Sequence, residues 1–317
     1  MGTHGKRRSQ TIVFCALALL VLLAAFALAA CGGVPDLPAP SASGTIAYGS
    51  DSGDVQVVRT DGTVVGTVEY PQMNSSDPAW SPDATRVAYT IQGALGGGID
   101  LVVANADGSG AKELPSAKLG GTFPTWSPDG TQLAFSSLWV FNTSKSPAKI
   151  CVMNPDGSGM RRLTDGPLSD MRPQWAPDGQ TILFVRGPFD YGNPNGDVYS
   201  VRADGSGLTK VTSMGKVTGF ALSPDGTQLV VADGEAHRIV LLPFGASGPE
   251  RTLIDTDYGW KAVVLSWSPD GKALALGNAD YNTDPQHPDK LVVVNADGSG
   301  LSAIPDANGY SPAWQPR

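Results

Sequence analysis

The segment Phe123-Pro124-Thr125-Trp126-Ser127-Pro128-Asp129-Gly130-Thr131-Gln132-Leu133-Ala134-Phe135 reads as a β-hairpin, and copies of it run along the chain. Pro128 pre-sets φ for the first turn position, Asp129 suits the second, and Gly130 accepts the left-handed conformation that follows. Trp126 before the turn and Leu133/Phe135 after it alternate as two antiparallel strands would. The copies are Trp80-Ser81-Pro82-Asp83-Ala84, Trp175-Ala176-Pro177-Asp178-Gly179, Leu222-Ser223-Pro224-Asp225-Gly226 and Trp267-Ser268-Pro269-Asp270-Gly271, with a shortened one at Trp314-Gln315-Pro316. The anchor positions 80, 126, 175, 222, 267 and 314 lie 46, 49, 47, 45 and 47 residues apart. A period in the forties with several strands per unit predicts a β-propeller.

A second signature follows each tryptophan by about twenty-five residues. It is Ile99-Asp100-Leu101-Val102-Val103-Ala104-Asn105-Ala106-Asp107-Gly108 in the first full copy, and it returns around Asn154-Pro155-Asp156-Gly157, Ala203-Asp204-Gly205 and Asn295-Ala296-Asp297-Gly298. Each unit then reads as strand a (ending in Trp), tight turn, strand b, variable loop, strand c, tight turn and strand d, a four-stranded antiparallel blade. Whole blades fall at about 78–115, 123–165, 171–212, 218–255 and 264–305. Residues 45–70 hold strands b, c and d without a strand a, while Tyr310–Arg317 is a strand a with nothing after it. Pairing the C-terminal strand with the N-terminal three predicts a sixth blade and a closed ring without an open edge. The expected fold is an all-β, six-bladed β-propeller.

The opening of the chain is read as a targeting segment. Lys6, Arg7 and Arg8 precede an uncharged apolar run from Thr11 to Ala30, the pattern of a signal peptide. Such a run is also long enough to span a membrane. Leu28-Ala29-Ala30-Cys31 favours the first reading, because it is similar to the lipobox of bacterial lipoproteins, in which the cysteine is acylated and becomes the first mature residue. The expected layout is therefore a signal peptide at 1–30, the lipid-bearing Cys31 with a Pro/Ala/Ser tether at 31–44, and the propeller at 45–317. Without residues 1–30 the chain keeps 19 basic against 30 acidic residues, a net charge of −11. That balance argues against binding nucleic acid or anionic lipid by charge. Cys151 is then the one cysteine in the globular part, and its apolar neighbours Ile150 and Val152 mark it as a small buried side chain.

The paired Trp-Ser-Pro-Asp-Gly and Asn-Ala-Asp-Gly-Ser-Gly signatures resemble the PD40 (WD40-like) repeats of the TolB-type propeller family, over about 45–317. The resemblance implies the propeller fold and does not extend to the partner of TolB in the cell envelope. TolB itself carries an α/β domain ahead of its propeller, where only the short tether stands here. Leu222 replaces one tryptophan, Leu242-Pro243-Phe244-Gly245 replaces one second turn, and Ala84 stands for a turn glycine.

Because the repeat must bury its faces between neighbours, the tryptophans are assigned to blade packing. The Asp-Gly pairs are assigned to turns, since D-x-[DN]-x-[DN]-G-x₅-E does not occur. Strand alternation puts both tight turns at one end of every blade and the long, varied connections at the other. Those connections carry Trp139, Phe141, Phe189, Tyr191, Tyr258, Trp260 and Tyr281 among Asn, Asp and Arg residues, a composition suited to a recognition surface. The competing view makes them solvated loops whose aromatics cover the blade ends. Neither G-x-S-x-G nor H-E-x-x-H is present. Asp280, Asp284, His287 and Asp289 share one loop but have nothing to fix them as metal ligands. PD40-like repeats also precede hydrolase domains in prolyl-oligopeptidase-type peptidases, whereas this sequence runs three residues past Trp314. The expectation is a monomeric, membrane-anchored propeller outside the cytoplasm, binding a protein or envelope polymer without catalytic residues, metal or cofactor. The alternatives are a propeller lyase or hydrolase working in the central channel and a small-ligand sensor.

Overall fold

The tight turns are built by side chains folding back on their own backbone. In the turn after Trp126, Gly130 N–H donates to the Ser127 carbonyl at 2.8 Å, and Ser127 N–H donates to the Gln132 carbonyl at 2.8 Å. Asp129 Oδ1 accepts from Ser127 Oγ at 2.6 Å, Thr131 N at 3.0 Å and Thr131 Oγ1 at 2.8 Å. These donors, Ser127 foremost, hold the Asp129 carboxyl below its ordinary range. In the sister turn the same arrangement, again led by the serine, brings Asp83 down to about 2. Such turns are closed by local chemistry. The second turn type works alike: Gly157 N donates to the Asn154 carbonyl, and Asp156 Oδ1 accepts from Ser158 N.

This computed structural model describes residues 44–70, 73–93, 99–114, 120–138, 147–190, 193–194, 196–234, 238–255, 263–278 and 290–316. Among them every regular element is a β-strand. Sheet 1 consists of Met73–Trp80, Arg86–Gly93, Ile99–Asn105 and Lys112–Glu113. Sheet 2 is Gly121–Trp126, Leu133–Ser137, Lys149–Met153 and Arg161–Arg162. Sheet 3 is Ser169–Trp175, Thr181–Gly187, Asp197–Arg202 and Thr209–Lys210, and sheet 4 is Val217–Leu222, Gln228–Asp233, Arg238–Pro243 and Arg251–Asp255. All four are antiparallel and run in chain order, a to d.

Apart from the short ladder of Phe189–Asp190 with Asn193–Pro194, the remaining strands form one seven-stranded sheet, in the order Val263–Trp267, Ala273–Asn278, Lys290–Asn295, Ser302–Trp314, Thr45–Ser50, Val55–Arg59 and Val64–Val68. Its centre is a continuous strand where the sequence suggested two separate ones. Ser302 and Ala303 pair with Val293 and Val292, whereas Gly309, Tyr310, Ala313 and Trp314 pair with Ser50, Gly49, Ala47 and Ile46. Asp306 has a φ of 54°; beyond it Asn308 still pairs with Lys290, and the strand changes partners at Gly309. A Cβ on Gly309 would lie 2.2 Å from the Gly49 carbonyl oxygen, so the second pairing requires glycine there.

Both tight turns of a sheet sit at the same end and are tied together. Ala106 N donates to the Thr85 carbonyl at 2.9 Å, Ala203 N to Gln180 at 2.7 Å, Phe244 N to Thr227 at 2.8 Å and Ala296 N to Lys272 at 2.8 Å. Between sheets the core is shared. Ala88, Leu101 and Leu114 pack with Trp126, Leu133, Phe135 and Met153, and Ile150, Val152 and Leu163 pack with Trp175, Ile182 and Phe184. Trp126 Nε1 donates to the Ala79 carbonyl of the preceding sheet, as Trp267 Nε1 does to Ala221, each at 3.0 Å. The tryptophans are inter-sheet wedges.

Ala84 occupies the glycine position of its turn with a φ of 54°, against 70° for Gly130 in the next copy. A left-handed residue with a Cβ is strained by roughly 1–2 kcal/mol, part of which glycine's extra chain entropy offsets. Ala84→Gly is therefore expected to raise unfolding stability by about 0.5–1 kcal/mol, and Gly130→Ala to lower it comparably, as measured by urea denaturation.

Candidate functional site

Cys31 and the loop aromatics Trp139, Phe141, Tyr191, Tyr258, Trp260 and Tyr281 lie outside the described residues. Phe189 falls in a short ladder rather than an irregular loop, Phe189–Asp190 pairing with Asn193–Pro194. What is described of the long-connection end is the ground formed by the strand ends that those connections join.

That ground holds a buried ion network between sheets 2 and 3. Asp170 is the second residue of strand a of sheet 3, Arg186 the next to last of strand b, and Lys149 begins strand c of sheet 2 after the long connection. Asp170 is fully buried. Its Oδ1 accepts from Arg186 Nε at 2.5 Å and its Oδ2 from Arg186 Nη2 at 2.8 Å, with Lys149 Nζ 3.4 Å away. Lys149 also donates to the Leu168 carbonyl, and Arg186 to the Asp165 carbonyl. The Arg186 guanidinium lies over the rings of Phe184 and Tyr199. Burial pulls the Lys149 ammonium below its ordinary range, with Asp170 opposing the shift. The hydrogen bonds to Asp170 push Arg186 up.

The equivalent position near the start of strand c does related work elsewhere. Asp197 accepts from Met214 N at 2.7 Å and Gly215 N at 3.0 Å, and pairs with Lys210 at 2.8 Å, fixing the connection into sheet 4. In sheet 1 the same position is Asp100, whose pKa is raised to about 6 by burial and by Glu113. The sequence shows these charges but not their pairing, because the partners meet only through strand register, well apart along the chain.

A second set of residues escaped the sequence reading entirely. A cavity of about 240 Å³ is lined by the strands a of sheets 1 to 4 and by two stretches of the seven-stranded sheet, Val264–Ser266 and Ser311–Trp314. The residue three before the anchor position lines it every time: Asp77, Phe123, Arg172, Gly219, Val264 and Ser311. Four of these six, Asp77, Phe123, Arg172 and Ser311, have φ between 50° and 57°, and each precedes a proline, Pro78, Pro124, Pro173 or Pro312. At each of the four the ladder skips, so that two residues face one across the strand pair. The single residue opposite is a buried aromatic, respectively Tyr89, Phe135, Phe184 and Tyr48. Val264 precedes Leu265 instead and sits in an unbroken ladder. These are β-bulges, which re-aim a side chain, and the proline belongs there because it has no N–H for the ladder.

The bulges bring unlike chemistry together. Ser311 Oγ donates to Asp77 Oδ1 at 2.6 Å, across 234 residues of sequence, and Ser76 Oγ donates to Oδ2 at 3.1 Å. Burial raises the Asp77 pKa, while Ser311 and the charge of Arg172 oppose the rise. Arg172 Nη1 donates to the Thr218 carbonyl at 3.1 Å, and its guanidinium lies 5.1 Å from the centre of the Phe123 ring. A proline two residues before the tryptophan was the available sequence signal for this arrangement.

The sequence model of the family described as PD40, TolB beta propeller domain, matches residues 45–317. Among solved structures, TolB from Acinetobacter baumannii is similar with a TM-score of 0.69 at 21% identity, over 86% of this chain and 67% of that one. A chain of the Nidogen/Laminin complex is similar with a TM-score of 0.66 at 14% identity, over 86% of this chain and 98% of that one. At these identities the likeness is one of fold. No curated protein matches the chain in sequence.

The ion network yields a stability prediction. Replacing Asp170 by Asn leaves Lys149 and Arg186 buried without their counter-charge, and breaking a buried ion pair from one side costs about 3–5 kcal/mol. Chemical denaturation of Asp170→Asn should show a loss of that order.

Proposed function

Since the chain belongs to the TolB β-propeller family, we propose that it is an exported, lipid-anchored, six-bladed propeller. In this reading it binds a protein or envelope polymer through the end of its sheets that carries the long connections. The observation that carries the reading is the contrast between the two ends. At one end the turns are short, alike and hydrogen-bonded to each other. At the other the connections vary in length and hold Trp139, Phe141, Phe189, Tyr191, Tyr258, Trp260 and Tyr281. Near the strand ends that such connections join are Asp170, Arg186 and Lys149, a rigid base of the kind a recognition surface requires.

Ring closure with six blades is part of the proposal. In its favour, Ile46 and Tyr48 share a core with Ala273, Leu291 and Trp314 on one side. On the other side, Ala47, Val55 and Val57 share one with Trp80, Val87 and Tyr89. The C-terminal half of the strand Ser302–Trp314 acts as strand a of the blade that residues 45–68 complete. Anchoring through Cys31 rests on Leu28-Ala29-Ala30 before it and the tether after it. A net charge of −11 beyond residue 30 makes a lipid, rather than surface charge, the means of holding the protein at a membrane.

Deleting residues 310–317 should lower stability by several kcal/mol, of which about 3–5 kcal/mol reflects the lost tryptophan side chain; unchanged thermal unfolding would overturn the closed ring. Cys31→Ala should release the protein from membranes or halt its maturation, and an intact-mass measurement finding no acyl group on the wild type would overturn the anchor. For the recognition face, Tyr191→Ala and Tyr281→Ala should each weaken partner capture from native membranes by about 2 kcal/mol or more while sparing the melting temperature. Asp129→Asn and Asp156→Asn should do the reverse. Capture lost from the tight-turn end, or from neither end, would sink this assignment.

A further inference from the structure

One row of residues recurs across sheets 1 to 4 with a different set of charges in each. In sheet 3 it runs Asp170, Arg186 and Asp197 over strands a, b and c, and Lys210 on strand d reaches Asp197 Oδ2 at 2.8 Å. Opposite signs alternate along it. In sheet 4 the members on strands b and c are Asp233 and Arg238, 3.4 Å apart, with Glu250 Oε1 2.8 Å from the arginine. In sheet 2 they are Ser137 and Lys149, and this lysine and Arg162 on strand d are answered by Asp170 and Asp165. In sheet 1 the row is Ser75, Ile91 and Asp100. Glu113 stands there where sheet 3 has Lys210: Val102 faces Glu113 as Tyr199 faces Lys210, and Asp100 and Asp197 each lie two residues earlier. Sheet 1 thus has a carboxylate in the place of each anion on strand c of sheet 3 and of each cation on its strand d.

Asp100 is only 9% exposed, and its Oδ1 has no hydrogen-bond partner among the described residues. Burial and then Glu113 raise its carboxyl to about 6. At Asp197 burial acts in the same sense, yet the bonds from Gly215 N, Lys210 and Met214 N bring the carboxyl below its ordinary range. A buried carboxylate without a partner is costly, and an incoming cation that bonds to it recovers that cost. Diagonal neighbours on paired strands lie about 7–8 Å apart, so Asp100 and Glu113 can close on one cation from two sides. A calcium ion needs about six to eight oxygens, and among the described residues no third Asp, Glu, His or Cys joins these two. A single ammonium needs no more than the pair. Glu113 is exposed, and both residues sit toward the end of sheet 1 that carries the long connections. We propose that Asp100 and Glu113 form a socket for the ammonium of a lysine side chain on the protein partner, seated on Asp100 as Lys210 is seated on Asp197. The socket names the chemistry of the partner and rests on the reading of the long-connection end as the recognition face. The net charge of −11 beyond residue 30 favours the approach of such a basic segment.

The probe is N-acetyl-lysine methylamide, titrated into the full mature protein while the Asp and Glu carboxyl carbons are followed by NMR. The Asp100 resonance, identified by its loss in Asp100→Asn, should shift saturably in the millimolar range. The norleucine analogue, which has the carbon chain of lysine without the ammonium, should leave it in place, and so should calcium chloride. Glu113→Gln removes the exposed half of the socket and should weaken the lysine probe by about 2- to 5-fold. Glu113→Lys rebuilds the Asp197–Lys210 pair within sheet 1. It should abolish the response of Asp100 to the probe, raise the melting temperature and lower partner capture from native membranes by at least about 10-fold. Should Glu113→Lys fail to fold, Glu113→Gln gives the probe and capture readings at smaller amplitude. An Asp100 resonance unmoved by the lysine probe, moved equally by the norleucine analogue, or moved by calcium instead would overturn the proposal. Wild-type probe binding in a folded Glu113→Lys protein would overturn it too. If the probe binds but Glu113→Lys captures the partner as the wild type does, the socket takes no part in recognition and the proposal falls. The loop assignment would then still stand or fall on Tyr191→Ala and Tyr281→Ala, so the two failures are told apart.

Discussion

A four-stranded sheet that is apolar on both faces cannot stand alone, and that constraint organises the molecule. Every residue of Leu133–Ser137 is buried, and so is every residue of Lys149–Met153. Alternate side chains of these strands therefore need a neighbour on each side, and the neighbours are the preceding and following sheets. Stability in such an array comes from the interfaces between repeats as much as from the repeats. Cys151 shows how thorough the exclusion of water is. It sits in the core shared by Trp126 and Phe135, and burial pushes its thiol up to about 12. It packs as a small hydrophobe with no thiolate chemistry at neutral pH.

What was legible in the sequence was whatever local chemistry fixes. The Ser-Pro-Asp-Gly turns close on hydrogen bonds between residues two to five apart, so their residue types announce them. Ala84 was readable as a strained exception for the same reason, and its φ is positive. The wedge role of the tryptophans followed from their period, and Trp126 and Trp267 bear it out through their bonds to the preceding sheet. The continuous strand from Ser302 to Trp314 was not legible, because Pro305, Asn308 and Gly309 read as a break between two strands. The Asp170–Arg186–Lys149 network was hidden as well. Its members are ordinary charged residues in sequence and become partners only when two sheets are laid side by side.

The cavity-lining bulges stand between these extremes. Their signal, a proline two residues before the tryptophan, is present in the quoted repeats, at Pro124 before Trp126 for example. Its meaning depends on the partner strand. Where the proline occurs, the ladder skips and the residue opposite is Tyr89, Phe135, Phe184 or Tyr48. Where Phe220 or Leu265 takes its place, the residue opposite is Val231 or Leu276. The volumes explain the association: two residues arching over one leave a gap beneath the arch, and an aromatic ring fills it. The left-handed residue is strained by roughly 1–2 kcal/mol, which the packed ring and the missing proline N–H make tolerable. A substitution in strand b would thus reach the cavity without touching it.

This division of labour explains how one repeat yields an asymmetric interior. An unbroken run of identical strands a would present the same side chain at every copy, and a symmetric ring can discriminate little. The bulged copies lie in sheets 1, 2 and 3 and in the strand ending at Trp314, whose partner Thr45–Ser50 shares a core with sheet 1. They are thus consecutive; of the two copies without the proline, the one at Gly219 has its ladder skip one residue earlier and the one at Val264 has an unbroken ladder. Asp77, Ser311 and Arg172 consequently gather on one wall while Val264 and Leu265 remain on the other. The turns at one end stay uniform because they must close every sheet in the same way. The interior and the long connections are free to differ because neither is needed for that closure. Variation from copy to copy therefore has those two places open to it, and the inner one is set by prolines rather than by loop length.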